Sequence, residues 1–403
     1  RDDIYYLSEM MNFPGVLHHN EEVDAKINSA RIFGKPVDGH APGLRGEEAK
    51  RYIEAGIQTD HECITREEAL DKLMYGMKII IREGSAARNF DALIDLLRDH
   101  EDDMMFCSDD KHPDSLVAGH INVLCRRAVA RNIDPFSVLK AACINPVRHY
   151  QMPVGLLRPG DPADCILVRD LKDFEVLQTY IDGHLVADEG MTKIGTVPAA
   201  LINHFNCRPR SVADFAVSAA AGPVSTVIEA LDGQLITNRL RESPRLEQDE
   251  YISDVSTDTL KMVVVNRYRD APVATAFVRN FGLLRGALAS SVAHDSHNII
   301  AVGVDDASLC RAVNLIIEHR GGISCVDDGE TAVLPLPVAG LMSNEDGYRI
   351  AEQYTRLDHM AKALGSPLSA PFMTLSFMAL LVIPHVKLSD RGLFDGDQFG
   401  FIR

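Results

Sequence analysis

The chain has 403 residues, 46% hydrophobic and 25% charged, and 41 Lys and Arg against 58 Asp and Glu leave a formal net charge of -17. That balance lacks the positive footprint needed to grip a phosphate backbone, so no nucleic-acid partner is expected. No uncharged apolar run approaches the roughly 20 residues of a spanning helix, so no membrane partner is expected either.

From the first residue to about Tyr150 short apolar runs alternate with stretches of helical period, the signature of repeated βα units. Strands are predicted at Ile4–Leu7, Pro36–Gly39, Ile57–Thr59, Met77–Ile81 and Met104–Cys107. Between them helices are predicted at Glu21–Ile32, Gly46–Ala55, Thr65–Tyr75 and Asp91–Asp99, the third entered through a Thr65, Glu68 capping-box spacing. Two further helices, Asp114–Arg131 and Pro135–Ala142, follow the last strand. A turn and strand across Gly155–Asp170 and a hairpin across Val176–Ala187, turning at Asp182-Gly183, then predict a small β layer. Beyond Thr192 the text becomes mixed: buried strands at Met262–Val265 and Ile299–Gly303, helices at Ala307–His319 and Gly347–Leu364. Eight cysteines without a C-x-x-C pair predict free thiols in a reducing cytoplasm.

Three places set a histidine or carboxylate just past a strand. They are Val37-Asp-Gly-His40-Ala-Pro-Gly43, Gln58-Thr-Asp-His61-Glu62 and Phe106-Cys-Ser-Asp109-Asp110-Lys-His112. His40 and His61 are 21 residues apart and His61 and Asp109 are 48 apart, one and then two βα steps. In a (β/α)8 barrel such positions converge on the C-terminal mouth, where active sites of that fold lie. Glu9, after the first predicted strand, joins the same rim, and two histidines with two carboxylates suit a divalent transition ion. A lone histidine at a strand end is more often hydrogen-bonded or exposed; it is the alignment on consecutive units that favours a ligand set. Asp38 and Asp60 precede the histidines by one residue and point the other way, into the barrel or behind the ligands. Between Asp109 and Asp110 the spacing does not decide, and Asp109 is favoured.

Glu9, His40, His61 and Asp109 resemble the metal ligands on strands 4, 5, 6 and 8 of the amidohydrolase superfamily, and Pro159-Gly-Asp-Pro-Ala-Asp164 resembles its return into a small β-sandwich. More specific strings, over essentially the whole chain, resemble the adenine deaminase family: Glu9-Met-Met-Asn-Phe-Pro-Gly15, Val37–Gly43, Thr59–Glu62, Arg82-Glu-Gly-Ser-Ala-Ala-Arg88-Asn89 and Ser291-Val-Ala-His-Asp-Ser-His-Asn298. The resemblance implies an α/β fold: the C-terminal part of a metal-dependent (β/α)8 amidohydrolase barrel (1–150, strands 4–8), a small β-sandwich segment (151–191) and an α+β C-terminal domain (192–403). A complete barrel takes about 250 residues, and the superfamily's His-x-His pair has no match before Glu9. The expectation is a chain without its first three βα units and the two further ligands they would hold, metal-poor and inactive by itself.

The implied reaction is hydrolytic deamination of adenine to hypoxanthine and ammonia, with a divalent metal, Mn2+ or Fe2+ with Zn2+ also compatible, binuclear in the complete enzyme. The resemblance gives Glu9 the place of a bridging carboxylated lysine and makes Asp109 both a ligand and the proton acceptor from water. Glu62 is the acid to the purine ring, or else a carboxylate supporting His61 or the helix entry. Gly84 and Ser85 are candidates for reading the purine edge, against a plain tight turn. His294 and His297, spaced to share a helix face, are candidate lid or pocket residues, against loop histidines held by hydrogen bonds. A homo-oligomer is expected. The competing functions are a cyclic amide hydrolase of the same superfamily and a non-catalytic barrel remnant.

Overall fold

The computed structural model describes residues 3–85 and 87–402, so Arg1, Asp2, Ala86 and Arg403, which belong to the predicted segments, lie outside the described residues. The chain divides into two compact units: Arg1–Gly84 with Arg88–Lys111 and Ala118–Thr196, and Ser85–Ala87 with His112–Val117 and Val197–Arg403. Among the described residues no helix is long and apolar enough to cross a membrane.

The first unit opens with strand β1 (Leu7–Met10), helices α1 (Phe13–Leu17) and α2 (Glu21–Ile32), then β2 (Val37–Gly39) and α3 (Gly46–Glu54). It continues through β3 (Thr59–Asp60), α4 (Arg66–Met74), β4 (Lys78–Arg82) and β5 (Met104–Cys107). The helix starts have local causes. Asn20 Oδ1 accepts the backbone N–H groups of Glu22 and Val23 to open α2, and Thr65 Oγ1 accepts that of Glu68 to open α4. The inward faces follow helical period: Val23, Ile27 and Ala30 of α2 are buried with Val37 and Ile57, each large side chain contributing about 1.5–3 kcal/mol.

All five strands pair in parallel, but in two ladders: β1 with β2, and β3 with β4 and β5. Between β2 and β3 a backbone hydrogen bond runs from Gln58 N to Val37 O, at 2.9 Å. The two backbones approach closely at Gly39, where a Cβ would collide with the Thr59 carbonyl oxygen. Gly39 is therefore required to bring the ladders side by side.

Several predicted boundaries shift. The first strand starts at Leu7 rather than ending there, so Glu9 lies within it, beside a register irregularity between Leu7 and Met10. The helix predicted over Asp114–Arg131 is two helices, Pro113–Ala118 and Ile121–Ala130. They are separated at Gly119, whose φ of 151° and lack of a Cβ let the chain turn against Val123. The Pro135 helix runs to Leu139, passes through a π-turn at Lys140–Ile144 and resumes at Asn145–His149. The small β layer has four antiparallel strands, including the expected hairpin Val176–Ile181 and His184–Asp188.

The second unit is built on an eight-stranded sheet. Its spatial order is Thr237–Leu240, Val227–Ala230, Ala274–Arg279, Leu260–Val265, Ile299–Gly303, Ala287–Ser290, Gly322–Val326 and Thr331–Pro335. The two faces feed separate apolar clusters, one around Met262, Ile300 and Leu357, the other around Val263, Ala301 and Ile316. That division of its side chains between two cores makes Leu260–Val265 a buried strand throughout.

Candidate metal centre

Four strand ends of the first unit supply the rim. Glu9 comes from β1, His40 directly follows β2, His61 and Glu62 follow β3, and Asp109 stands two residues past β5. Glu9 has φ of 22° and Asp109 φ of 52°, backbone conformations that cost L-residues on the order of 1–3 kcal/mol each.

Glu9, His40 and His61 each offer one donor atom within 4.8 Å of the others. His40 Nδ1 lies 3.3 Å from Glu9 Oε2 and 3.6 Å from Glu62 Oε1, and the two imidazoles meet edge to face with centroids 5.1 Å apart. His61 Nε2 is 3.5 Å from both Glu62 Oε1 and Asp109 Oδ1. Asp109 thus touches the rim through His61 and Arg82 and is not one of the three closest donors. Asp110 is exposed, which separates the two adjacent aspartates.

The electrostatics are those of a compressed charge cluster. Burial raises the Glu9 carboxyl, but the adjacent His40 imidazole and the charge of His61 outweigh it and hold it below its usual value. Burial lowers the His40 imidazole, and the charges of Glu62 and Glu9 more than reverse this. For Asp109 burial again raises, while Arg82 and His61 lower it further. Neither ring nitrogen of His40, nor Nε2 of His61, makes a well-formed hydrogen bond, although all three are buried. A buried polar atom left so costs about 1–3 kcal/mol, and two imidazoles with a carboxylate are a donor set for a divalent transition ion. The residues present therefore fit a metal.

Sequence reasoning missed Arg82. It ends β4, is 3% exposed, and its Nη1 lies 3.2 Å from Asp109 Oδ1 while also bonding Glu62 Oε1. Asn89 was missed as well: its amide accepts from Arg82 N and donates to the carbonyls of His61 and Cys63. The signal available was the run Arg82–Asn89 itself, polar residues directly after a buried strand. Glu62 turns towards the histidines, and the entry of α4 is capped by Thr65 instead, so the helix-entry role does not hold. Asp38 accepts from Thr59 Oγ1 at 2.8 Å and from the Tyr150 hydroxyl at 3.0 Å, and its burial raises its carboxyl.

A cavity of about 500 Å³ opens beside the cluster, lined by Tyr5, Glu9, Asp38, His61, Asp109 and Tyr150 among others. A larger one, about 800 Å³, lies at the opposite ends of the strands, near Pro36, Gln58 and Lys78, and holds none of the candidate residues.

Gly84 closes a segment of the first unit, whereas Ser85 groups with the second, where its hydroxyl accepts the His112 N–H at 2.9 Å. His294 and His297 belong to the second unit and sit in a turn, not on a helix. The His297 φ of 49° breaks the helical path. His294 stacks on Phe377 at 4.7 Å, and burial, with His294 and Arg267 nearby, pushes His297 down to about 4.

Two families match the chain: the Amidohydrolase family over residues 1–186 and the Adenine deaminase C-terminal domain over residues 234–400. The chain is 55% identical to the "Adenine deaminase" of Salinibacter ruber over 404 residues, covering 100% of this chain and 74% of that relative. It is 54% identical to the protein of the same name from Sulfurovum sp. (99% and 73% covered) and 49% identical to that of Methanosarcina barkeri (100% and 74%).

Proposed function

The chain belongs to the adenine deaminase family, and from that premise we propose how the rim of its amidohydrolase segment works. The reaction is hydrolytic deamination of adenine to hypoxanthine and ammonia, supported by a divalent metal. Glu9, His40 and His61 hold the ion, with Asp109 beside His61 completing the set. The observation that carries this reading is the buried imidazole nitrogens left without hydrogen bonds in a cluster rich in carboxylates.

When bound, the ion supplies Lewis acidity that makes water a competent nucleophile near neutral pH. Asp109, kept as a carboxylate by Arg82, accepts the proton released as water attacks C6 of adenine. Glu62, 4% exposed and directed at both histidines, enters the adenine complex carrying a proton and delivers it to the ring nitrogen as C6 becomes tetrahedral. Asp109 then passes its proton to the exocyclic amine, ammonia leaves, and the C6 hydroxyl returns a proton to Glu62 as hypoxanthine forms. Tyr5 and Tyr150 line the cavity beside the cluster and give it aromatic surface for the purine. Gly84, Ser85, His294 and His297 are assigned no step.

Mn2+ or Fe2+ is the proposed ion, with Zn2+ compatible with the same donors. The eight free cysteines support a reducing, cytoplasmic setting, and a homo-oligomer is the proposed assembly. The test is the full gene product loaded with Mn(II) or Fe(II) and supplied with adenine. Ammonia and hypoxanthine should appear in equal amounts as absorbance at the adenine maximum falls. Turnover of a hydantoin or dihydropyrimidine ring without loss of adenine would replace this reading by the cyclic amide hydrolase.

A further inference from the structure

The seam between β2 and β3, which among the described residues form no ladder with each other, falls between two of the ion's ligands. His40 follows a strand of one ladder and His61 a strand of the other, so ladder pairing does not fix their separation. Two buried side chains span the rim from behind. The Tyr52 hydroxyl, on α3, donates to the Met10 carbonyl at 2.6 Å and accepts the His40 N–H at 3.1 Å. Lys72 Nζ, on α4, donates to the Ala41 carbonyl at 2.8 Å, to Asp60 Oδ2 at 2.6 Å and to Glu68 Oε1 at 2.8 Å.

Most of these bonds land on a ligand or next to one in the chain. Met10 follows Glu9, Ala41 follows His40, and Asp60 precedes His61. Tyr52 therefore couples Glu9 to His40, and Lys72 couples His40 to His61. Glu68 extends the clasp, accepting the N–H of Gly43 at 2.8 Å with one oxygen and that of Ile64 at 3.1 Å with the other. We propose that Tyr52 and Lys72 are positioning residues that set the separation of Glu9, His40 and His61, and through it the affinity of the rim for a divalent ion.

Two observations favour a geometric role over a merely cohesive one. Both side chains are 0% exposed, and a buried ion pair is a weak source of stability compared with well-packed apolar residues of similar size. What such a network adds is direction, because all three Lys72 protons are committed to fixed acceptors. Asp60, Cys63 and Glu68 also bring donor atoms within 4.8 Å of one another, but the Lys72 ammonium already bonds both carboxylates, so the group is not a second ion site.

The proposal rests on the reading of Glu9, His40 and His61 as ligands, and its test separates the two. Mn(II) is titrated into the metal-free full gene product and followed by electron paramagnetic resonance, for wild type, Tyr52→Phe, and Lys72→Met combined with Glu68→Gln. Val138→Ala, in the other apolar cluster of the same unit, serves as a control for general destabilisation. Both rim variants should bind Mn(II) roughly ten- to a hundredfold more weakly, as is typical when groups supporting metal ligands are removed. The control should lose thermal stability and keep wild-type affinity. If the double variant does not fold, Tyr52→Phe, which removes a single oxygen, decides. Wild-type affinity in a folded rim variant, or an equal loss in Val138→Ala, overturns the proposal and leaves the ligand reading standing. A wild-type gene product that binds no Mn(II) overturns both.

Discussion

Arg82 ends one of two adjacent parallel strands and Asp109 stands just past the other, and the guanidinium of one sits 3.2 Å from the carboxylate of the other at the edge of the candidate metal centre. The same nitrogen bonds Glu62, so one cation serves both carboxylates assigned to proton transfer. Breaking a buried pair by removing one partner costs about 3–5 kcal/mol. Arg82→Met should therefore lower the stability of the protein by that order in urea unfolding. In the metal-loaded gene product its kcat should fall by about a hundredfold or more while the KM for adenine changes little.

Removing a ligand should act on the ion first. His40→Asn and His61→Asn should each leave far less metal on the dialysed protein, read by atomic absorption, and ammonia release should drop by more than about a hundredfold. Dialysis of the wild-type gene product against a chelator should reproduce the loss, and added Mn(II) should restore it in wild type alone.

Lys387 offers a pH signature in the second unit. It is fully buried, donates to the Leu235 carbonyl at 2.5 Å, and burial depresses its ammonium from 10.5 to about 7. Between pH 7 and 10.5 the unfolded chain thus carries a proton that the native one lacks, so native stability rises with pH across that window. The destabilisation is fully present below pH 7 and vanishes above 10.5. Lys387→Met should abolish this slope, about 1.4 kcal/mol per pH unit. It should also be more stable than wild type near neutral pH by a few kcal/mol, less about 1 kcal/mol for the lost hydrogen bond. Urea unfolding of both proteins at about pH 7, 8 and 9 measures the difference.

Asn20→Ala removes the cap of α2 without touching the rim. A loss of about 1 kcal/mol in unfolding free energy is expected, with metal content unchanged. A fall in metal content would mean that α2 helps to shape the site.

The parts of this site that are legible in the sequence are those with a local cause. His40 and His61 stand out because glycine, proline or acidic neighbours follow short strands, and α2 matches its predicted limits because its cap and period agree. Glu9 is legible although its strand lies later than predicted, since the irregularity between Leu7 and Met10 is set by pairing across the sheet and leaves no mark on local pattern. Tyr52 and Lys72 are invisible for a different reason. In sequence they are ordinary members of two helices, and their roles depend on which atoms of other segments they meet. The split of the Asp114–Arg131 helix is legible in principle, because Gly119 stands at the break.

The seam between the two parallel ladders has a thermodynamic consequence. An ion that takes Glu9 and His40 from one ladder and His61 from the other fastens together two pieces of sheet that are not laddered to each other there. Its binding energy is then folding energy, amounting to about 2.7 kcal/mol when free ion exceeds its dissociation constant a hundredfold. The melting midpoint becomes a function of ion concentration, and amide protons flanking the seam, such as those of Gln58 and Gly39, exchange more slowly as the ion is added. Held by the proposed ligands, the ion of the chemistry would also be a rivet of the fold.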